Sequence, residues 1–253
     1  MADPSGDGAE APLIEARGIV VAYGALRVLD GVDLAVRAGE AVGIVGPNGA
    51  GKTTLLAALS GSLRLGGGTI RVRGRDVGRL DAARRCALGV ARTHQVPRPF
   101  GGMTVLENVL TAAMHGGRLR GAAAGERSLE AIELCGMRSV ANRRAESLGL
   151  LDRKRLELTR ALATDPALLL LDEIGGGLTD GEAAELVDTL RTLRARGITI
   201  VWIEHIVHVL VQIAERLVCM DAGRIIADGT PDAVLADAAV VDAYLGGGLH
   251  ARA

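Results

Sequence analysis

Apolar and polar residues alternate along Ile14–Val21 and again along Leu29–Val36, the two-residue period of half-buried strands. Gly68–Gly74 alternates in the same way and is expected in the same antiparallel layer. Glu40–Val45 is instead a short apolar strand, followed by a glycine-rich loop and by Thr53–Leu59, which reads as a buried helix. From about residue 97 to 165 the pattern turns helical. Thr104–Met114 and Ser128–Met137 carry apolar residues at helical spacing, and the glycine-containing stretch 116–125 separates them. Strand and helix then alternate. Ala167–Leu171 and Ile198–Ile203 are buried strands, Gly181–Arg196 and Ile206–Ala214 helices, and Leu217–Met220 and Arg224–Ala227 closing strands. Thr179 with Glu182 makes a capping box, and Thr230 before Pro231 marks another helix start. The expected architecture is α/β, a mostly parallel core sheet with an antiparallel β layer and an inserted helical subdomain at about 97–165. One domain would span residues 13–248, with a small, polar, flexible tail at 1–12 and a short one at 249–253.

Composition narrows the function classes. The 253 residues suffice for one large α/β domain. Basic and acidic residues nearly cancel, 29 against 30, so no field of one sign draws the chain to nucleic acid or anionic lipid. Cys86, Cys135 and Cys219 are scattered and odd in number, as expected of thiols in a reducing compartment. No apolar run is long enough to cross a bilayer, and the start lacks an export signal. The chain is therefore expected in the cytoplasm, reaching a membrane only by docking onto another chain.

Residues 46–54 read GPNGAGKTT and satisfy the phosphate-loop pattern G-x-x-x-x-G-K-[ST]. Gly46, Gly49 and Gly51 let the backbone curl past Pro47, so that N–H groups of Asn48, Gly49, Ala50, Gly51 and the following turn can face phosphate oxygens. Lys52 supplies a mobile positive charge, Thr53 offers a hydroxyl to Mg²⁺, and Thr54 continues into a helix whose positive end faces the anion. Strand, loop and helix in this order indicate a nucleoside triphosphate site.

Other residues read as its second half. Asp172 and Glu173 end an apolar strand, which can place Asp172 near Mg²⁺ and Glu173 near the attacking water. By itself a buried strand with a polar end is the commoner arrangement. Ile198–Ile203 delivers Glu204 and His205 in the same manner, and His205 could touch the γ-phosphate. His208 lies close by, but two imidazoles make a poor zinc site. Gln95 follows another apolar stretch and could ligate Mg²⁺ or the water. Tyr23, one of two tyrosines, sits in a turn where its ring could stack on an adenine or simply pack within the loop.

In this order the set resembles the nucleotide-binding subunits of ABC transporters, most closely the ATPases of branched-chain amino acid importers. The resemblance runs from Leu13 to Gly248 and rests on the phosphate loop, ARTHQ at 91–95, Met103–Val109, Lys154–Leu162, Glu204-His205, Asp228–Pro231 and Ala243–Gly246. It implies a P-loop NTPase of ABC type that uses ATP and Mg²⁺. Tyr23 would stack on adenine, Thr53, Gln95 and Asp172 would hold the metal, and Glu173, with His205 and Gln95, would serve catalysis. Implied partners are transmembrane permease subunits, a second ATPase and, indirectly, an extracytoplasmic solute-binding protein, with no nucleic acid. The implied place is the cytoplasmic face of the inner membrane. A soluble non-transport ABC ATPase is the alternative, although such chains usually carry paired cassettes or coiled-coil insertions. A regulatory GTPase would need a guanine-reading N-K-x-D stretch, which is not found.

One stretch departs from the family. Where an L-S-G-G-Q-like signature belongs, the chain has Leu148, Gly149, Leu150, Leu151 and Asp152. The serine hydroxyl is missing and Leu151 replaces a glycine, while Asp152 could cap the next helix. Arg153, Lys154 and Arg155 are expected to offset part of the Asp152 charge. Because this stretch completes the partner's ATP site in the family, a related partner is favoured over an identical one. Gly175–Thr179 is glycine-rich and expected to be loose.

Overall fold

A computed structural model describes residues 11–246, so most of the expected tails, and Gly247 and Gly248 of the expected domain, lie outside the described residues. Strands β1 (Ile14–Tyr23) and β2 (Leu26–Val36) pair antiparallel. β3 (Ala41–Val45) is wholly buried and leads through residues 46–51 into α1 (Lys52–Ser60). β4 (Gly67–Val72) and β5 (Arg75–Asp76) return to the first layer, giving the order β2-β1-β4-β5. Short α2 (Ala82–Cys86) leads to β6 (Val90–Arg92). The helices α3 (Val105–His115), α4 (Gly121–Leu134) and α5 (Leu150–Ala163) follow, and then β7 (Leu168–Asp172). The chain closes with α6 (Asp180–Ala195), β8 (Thr199–Ile203), α7 (Val207–Leu210), β9 (Arg216–Asp221), β10 (Arg224–Gly229), α8 (Pro231–Leu235) and α9 (Ala238–Gly246).

The second sheet has the order β10-β9-β3-β8-β7-β6, with β9, β3, β8, β7 and β6 parallel and β10 antiparallel. Both faces are covered, which is why its strands read as unbroken apolar runs. Val42, Ile44, Leu168, Leu170, Val201 and Ile203 pack toward α1 and the antiparallel layer. Their neighbours Ala41, Val45, Leu169, Leu171, Ile200 and Trp202 pack toward the helices. At about 1.5–3 kcal/mol for each large side chain buried, this double core fixes the register. Ile44 and Asp172 both align with Ile203, so the segments that follow β3, β7 and β8 leave from one edge.

Two elements differ from the sequence pattern. α4 starts at Gly121 rather than Ser128, because Ala124, Ser128, Ala131 and Ile132 form one buried helical face and alanine outweighs the nearby glycines. α7 ends at Leu210 rather than Ala214. Both expected caps form, with Thr179 and Glu182 reciprocally bonded and Thr230 accepting from Ala233 N–H. Arg85 is fully buried and donates to Ala58 O at 2.6 Å and Leu59 O at 2.8 Å, satisfying carbonyls at the end of α1.

Candidate functional site

The loop between β3 and α1 has the backbone its glycines were read to provide. Gly46 has φ of +141°, and a Cβ there would sit 2.0 Å from Met220 O. Gly51 has φ of +98°, and a Cβ there would sit 2.9 Å from Val28 O. A side chain at either position is therefore excluded twice, by conformation and by space. Residues Asn48 through Thr54 join Val28, Glu173 and His205 in lining a cleft of about 270 Å³. Lys52 is buried, and its Nζ donates to Gly46 O at 2.7 Å and Pro47 O at 2.9 Å. Burial pushes the Lys52 ammonium below its ordinary pKa, opposed by Glu173, Cys219 and Asp172.

Across the same edge, Thr53 Oγ1 donates to Asp172 Oδ1 at 3.3 Å, and Arg92 Nη2 donates to Asp172 Oδ2 at 2.8 Å. One carboxylate oxygen is thus held by a guanidinium while the other faces the threonine. Glu173 has a left-handed backbone, φ +49°, a conformation costly for a side chain with a Cβ. Gln95 Nε2 donates to its Oε2, and His205 Nε2 shares a 2.6 Å hydrogen bond with its Oε1. Gln95, Glu173 and His205, far apart in sequence, are therefore in contact. The oxygen donors of Thr53, Asp172 and Gln95 are the type that suits a hard cation such as Mg²⁺.

Tyr23 ends β1 at the hairpin tip and is 61% exposed. It is not among the residues lining the phosphate cleft. The Leu148–Asp152 stretch is also absent from that lining. Gly149 is the N-cap of α5 and contributes no side-chain bond, so Asp152 lies inside the first turn rather than capping it. There its charge meets the positive end of the helix. The adjacent basic side chains take other partners. Arg153 donates to Leu148 O and Glu146 O, Lys154 turns inward, and Arg155 pairs with Glu185.

The Gly175–Thr179 stretch is pinned rather than loose. Lys154 Nζ donates to Gly176 O at 2.5 Å and Glu173 O at 3.3 Å. Buried Glu204 accepts from Gly175 N–H at 2.9 Å and His205 N–H at 3.1 Å. Burial raises the Glu204 carboxyl pKa, while the two backbone donors pull it down. Arg92 and Tyr244, whose hydroxyl accepts from Gly46 N–H at 2.8 Å, were not singled out from sequence, and Lys154 and Glu204 were named there without these partners. All four lie within motif stretches, but only the folded geometry gives their side chains targets.

Comparisons with known proteins agree with this fold. The sequence matches the family described as "ABC transporter" over residues 29–175, and "Branched-chain amino acid ATP-binding cassette transporter" over 224–250. It is 36% identical over 250 residues to the high-affinity branched-chain amino acid transport ATP-binding protein LivG of Salmonella typhimurium, covering 93% of this chain and 98% of that one. BraF of Pseudomonas aeruginosa, with the same description, is 33% identical over 93% and 98% of the two chains. A crystal structure of a nucleotide-free ATP-binding cassette from an ABC transporter superposes with a TM-score of 0.85 at 30% identity, over 92% of this chain and 98% of that one. The ADP conformation of an ATP-binding cassette gives the same TM-score, 0.85, at 30% identity over 94% and 100%.

Proposed function

Because the chain belongs to the ABC transporter ATP-binding family, we propose that it binds and hydrolyses ATP to power an importer of branched-chain amino acids or related small polar solutes. The observation that carries this reading is the meeting of Lys52, Asp172 and Glu173 at one sheet edge, with Thr53 and Asp172 joined at 3.3 Å.

The loop amides and Lys52 would grip the β- and γ-phosphates, Lys52 exchanging its two loop carbonyls for phosphate oxygens. Thr53, Asp172 and Gln95 would hold Mg²⁺, which when bound supplies positive charge to the phosphates. Glu173 would orient the water and take its proton as the water oxygen attacks the γ-phosphorus and the bond to the ADP oxygen breaks. His205, on the other oxygen of Glu173, would contact the γ-phosphate. Tyr23 would stack on the adenine ring.

Among the described residues no helix is long and apolar enough to cross a membrane, which fits attachment at the cytoplasmic face through permease subunits. A second ATPase would complete the assembly, with a solute-binding protein acting on the far side. The Leu148–Asp152 stretch, with Leu150 exposed and no serine or paired glycine, favours a related chain over an identical partner. Calorimetry with Mg-ATP, followed by turnover of this subunit, its partner and the pair, tests both points. No heat on titration would end the ATP reading, and full turnover by this chain alone would end the asymmetric pairing.

A further inference from the structure

The recognised nucleotide motifs end at His205, yet both ends of the phosphate loop are tied to the segment beyond it. At the far end, Gly223 in the β9–β10 turn donates its N–H to Ala50 O at 3.1 Å and accepts from Asp30 N–H at 3.0 Å. A Cβ on Gly223 would sit 2.4 Å from Val28 O, so this turn is packed directly on the backbone. At the near end, Gly46 N–H donates to the hydroxyl of Tyr244 at 2.8 Å. Among the described residues, Tyr244 supplies the acceptor for that N–H.

Tyr244 is placed by α9. Val240, one helical turn earlier on the same face, buries its side chain in the core on the helix side of the sheet. The phenol therefore approaches Gly46 from a fixed base. The same glycine accepts from Lys52 through its carbonyl, at 2.7 Å. One residue thus carries both the C-terminal contact and the resting contact of the cation that must reach the phosphates.

We propose that Tyr244 is a positioning residue for the phosphate loop: its hydroxyl fixes the Gly46 peptide, so ATP affinity depends on the docking of α9. The inference rests on the ATP-binding reading above. A cradle of backbone amides binds an anion well only when already shaped, so an unanchored first residue weakens binding without altering the reacting groups.

The test is Tyr244→Phe in the full-length chain, with Leu245→Ala, exposed on the same helix, as a control. Tyr244→Phe is expected to raise the Mg-ATP Kd and KM about fivefold, as loss of one hydrogen bond would, with kcat within about twofold. The thermal shift induced by Mg-ATP should shrink, while Leu245→Ala behaves as wild type. Wild-type Kd and KM in Tyr244→Phe would overturn the inference. So would a fall in thermal midpoint that is equal with and without Mg-ATP, since that marks a purely structural contact. Failure of the wild type to bind Mg-ATP would overturn the ATP-binding reading, and this inference with it.

Discussion

Arg92 Nη2 lies 2.8 Å from Asp172 Oδ2, with the two side chains 11% and 2% exposed. The pair leaves Asp172 Oδ1 turned to Thr53, so Arg92 sets which carboxylate oxygen is presented at the candidate metal position. Removing one partner of a buried pair strands the other charge and costs about 3 kcal/mol. Arg92→Gln is expected to lower stability by about that amount and to raise the Mg²⁺ concentration needed for half-maximal turnover. Denaturant melts and Mg²⁺ titrations check both. An unchanged Mg²⁺ requirement would mean that Arg92 does not orient the carboxylate.

Glu173 is held at both oxygens, by Gln95 and by His205. Glu173→Gln keeps the shape of the side chain but cannot accept a proton from water. Turnover should fall by about 10²-fold or more, the usual contribution of a general base, with Mg-ATP binding retained. Steady-state hydrolysis and calorimetry on one preparation separate the two effects. Near-normal turnover would remove Glu173 from the proposed role.

A methyl group at Gly175 would meet Glu204 Oε2 at 2.8 Å, whereas one at Gly181 would meet nothing within 4 Å. Gly175→Ala should therefore cost about 1–3 kcal/mol, from crowding and a lost bond to a buried carboxylate. Gly181→Ala, inside α6, should gain about 0.5 kcal/mol. Equal melting temperatures for the two variants would contradict the pinned geometry.

Burial pushes the Cys135 thiol up to about 12 and the Cys219 thiol up to about 11, from a starting value of 9.0. The unfolded chain therefore loses these protons first as pH rises. The stability they contribute is complete below pH 9.0 and is lost on passing through the folded values of about 11 and about 12. At pH 8, iodoacetamide should spare Cys135 and Cys219 in the native protein and label them after denaturation. Half-buried Cys86, whose pKa burial also raises, should be labelled faster than either. Rapid native labelling of Cys135 would contradict its placement.

The phosphate loop, the ends of the parallel strands and the helix caps at Thr179 and Thr230 were legible because each depends on a local pattern, such as glycines at fixed spacing or a threonine three residues before a glutamate. Asp172, Glu173 and His205 were readable as strand ends, since parallel strands with aligned register put their following residues on one edge. What was not legible depends on side chains reaching across the fold. Nothing in the spacing of Lys154 reveals that it turns inward to Gly176 O while Arg153 and Arg155 stay near the surface. Glu204 likewise reads as a strand-end carboxylate until Gly175 N–H is seen against it. The glycine run 175–177 suggested slack, because sequence reports the freedom of a backbone and not the bonds that remove it. The early start of α4 was hidden for the opposite reason, since its glycines masked an alanine-rich face that packing favours.

The bonds from Lys154 to Gly176 O and from Glu204 to Gly175 N–H and His205 N–H link α5 to the backbone of His205. Such a train has little backlash. A small rotation of α5 would be carried to the His205 main chain instead of being absorbed by a compliant joint.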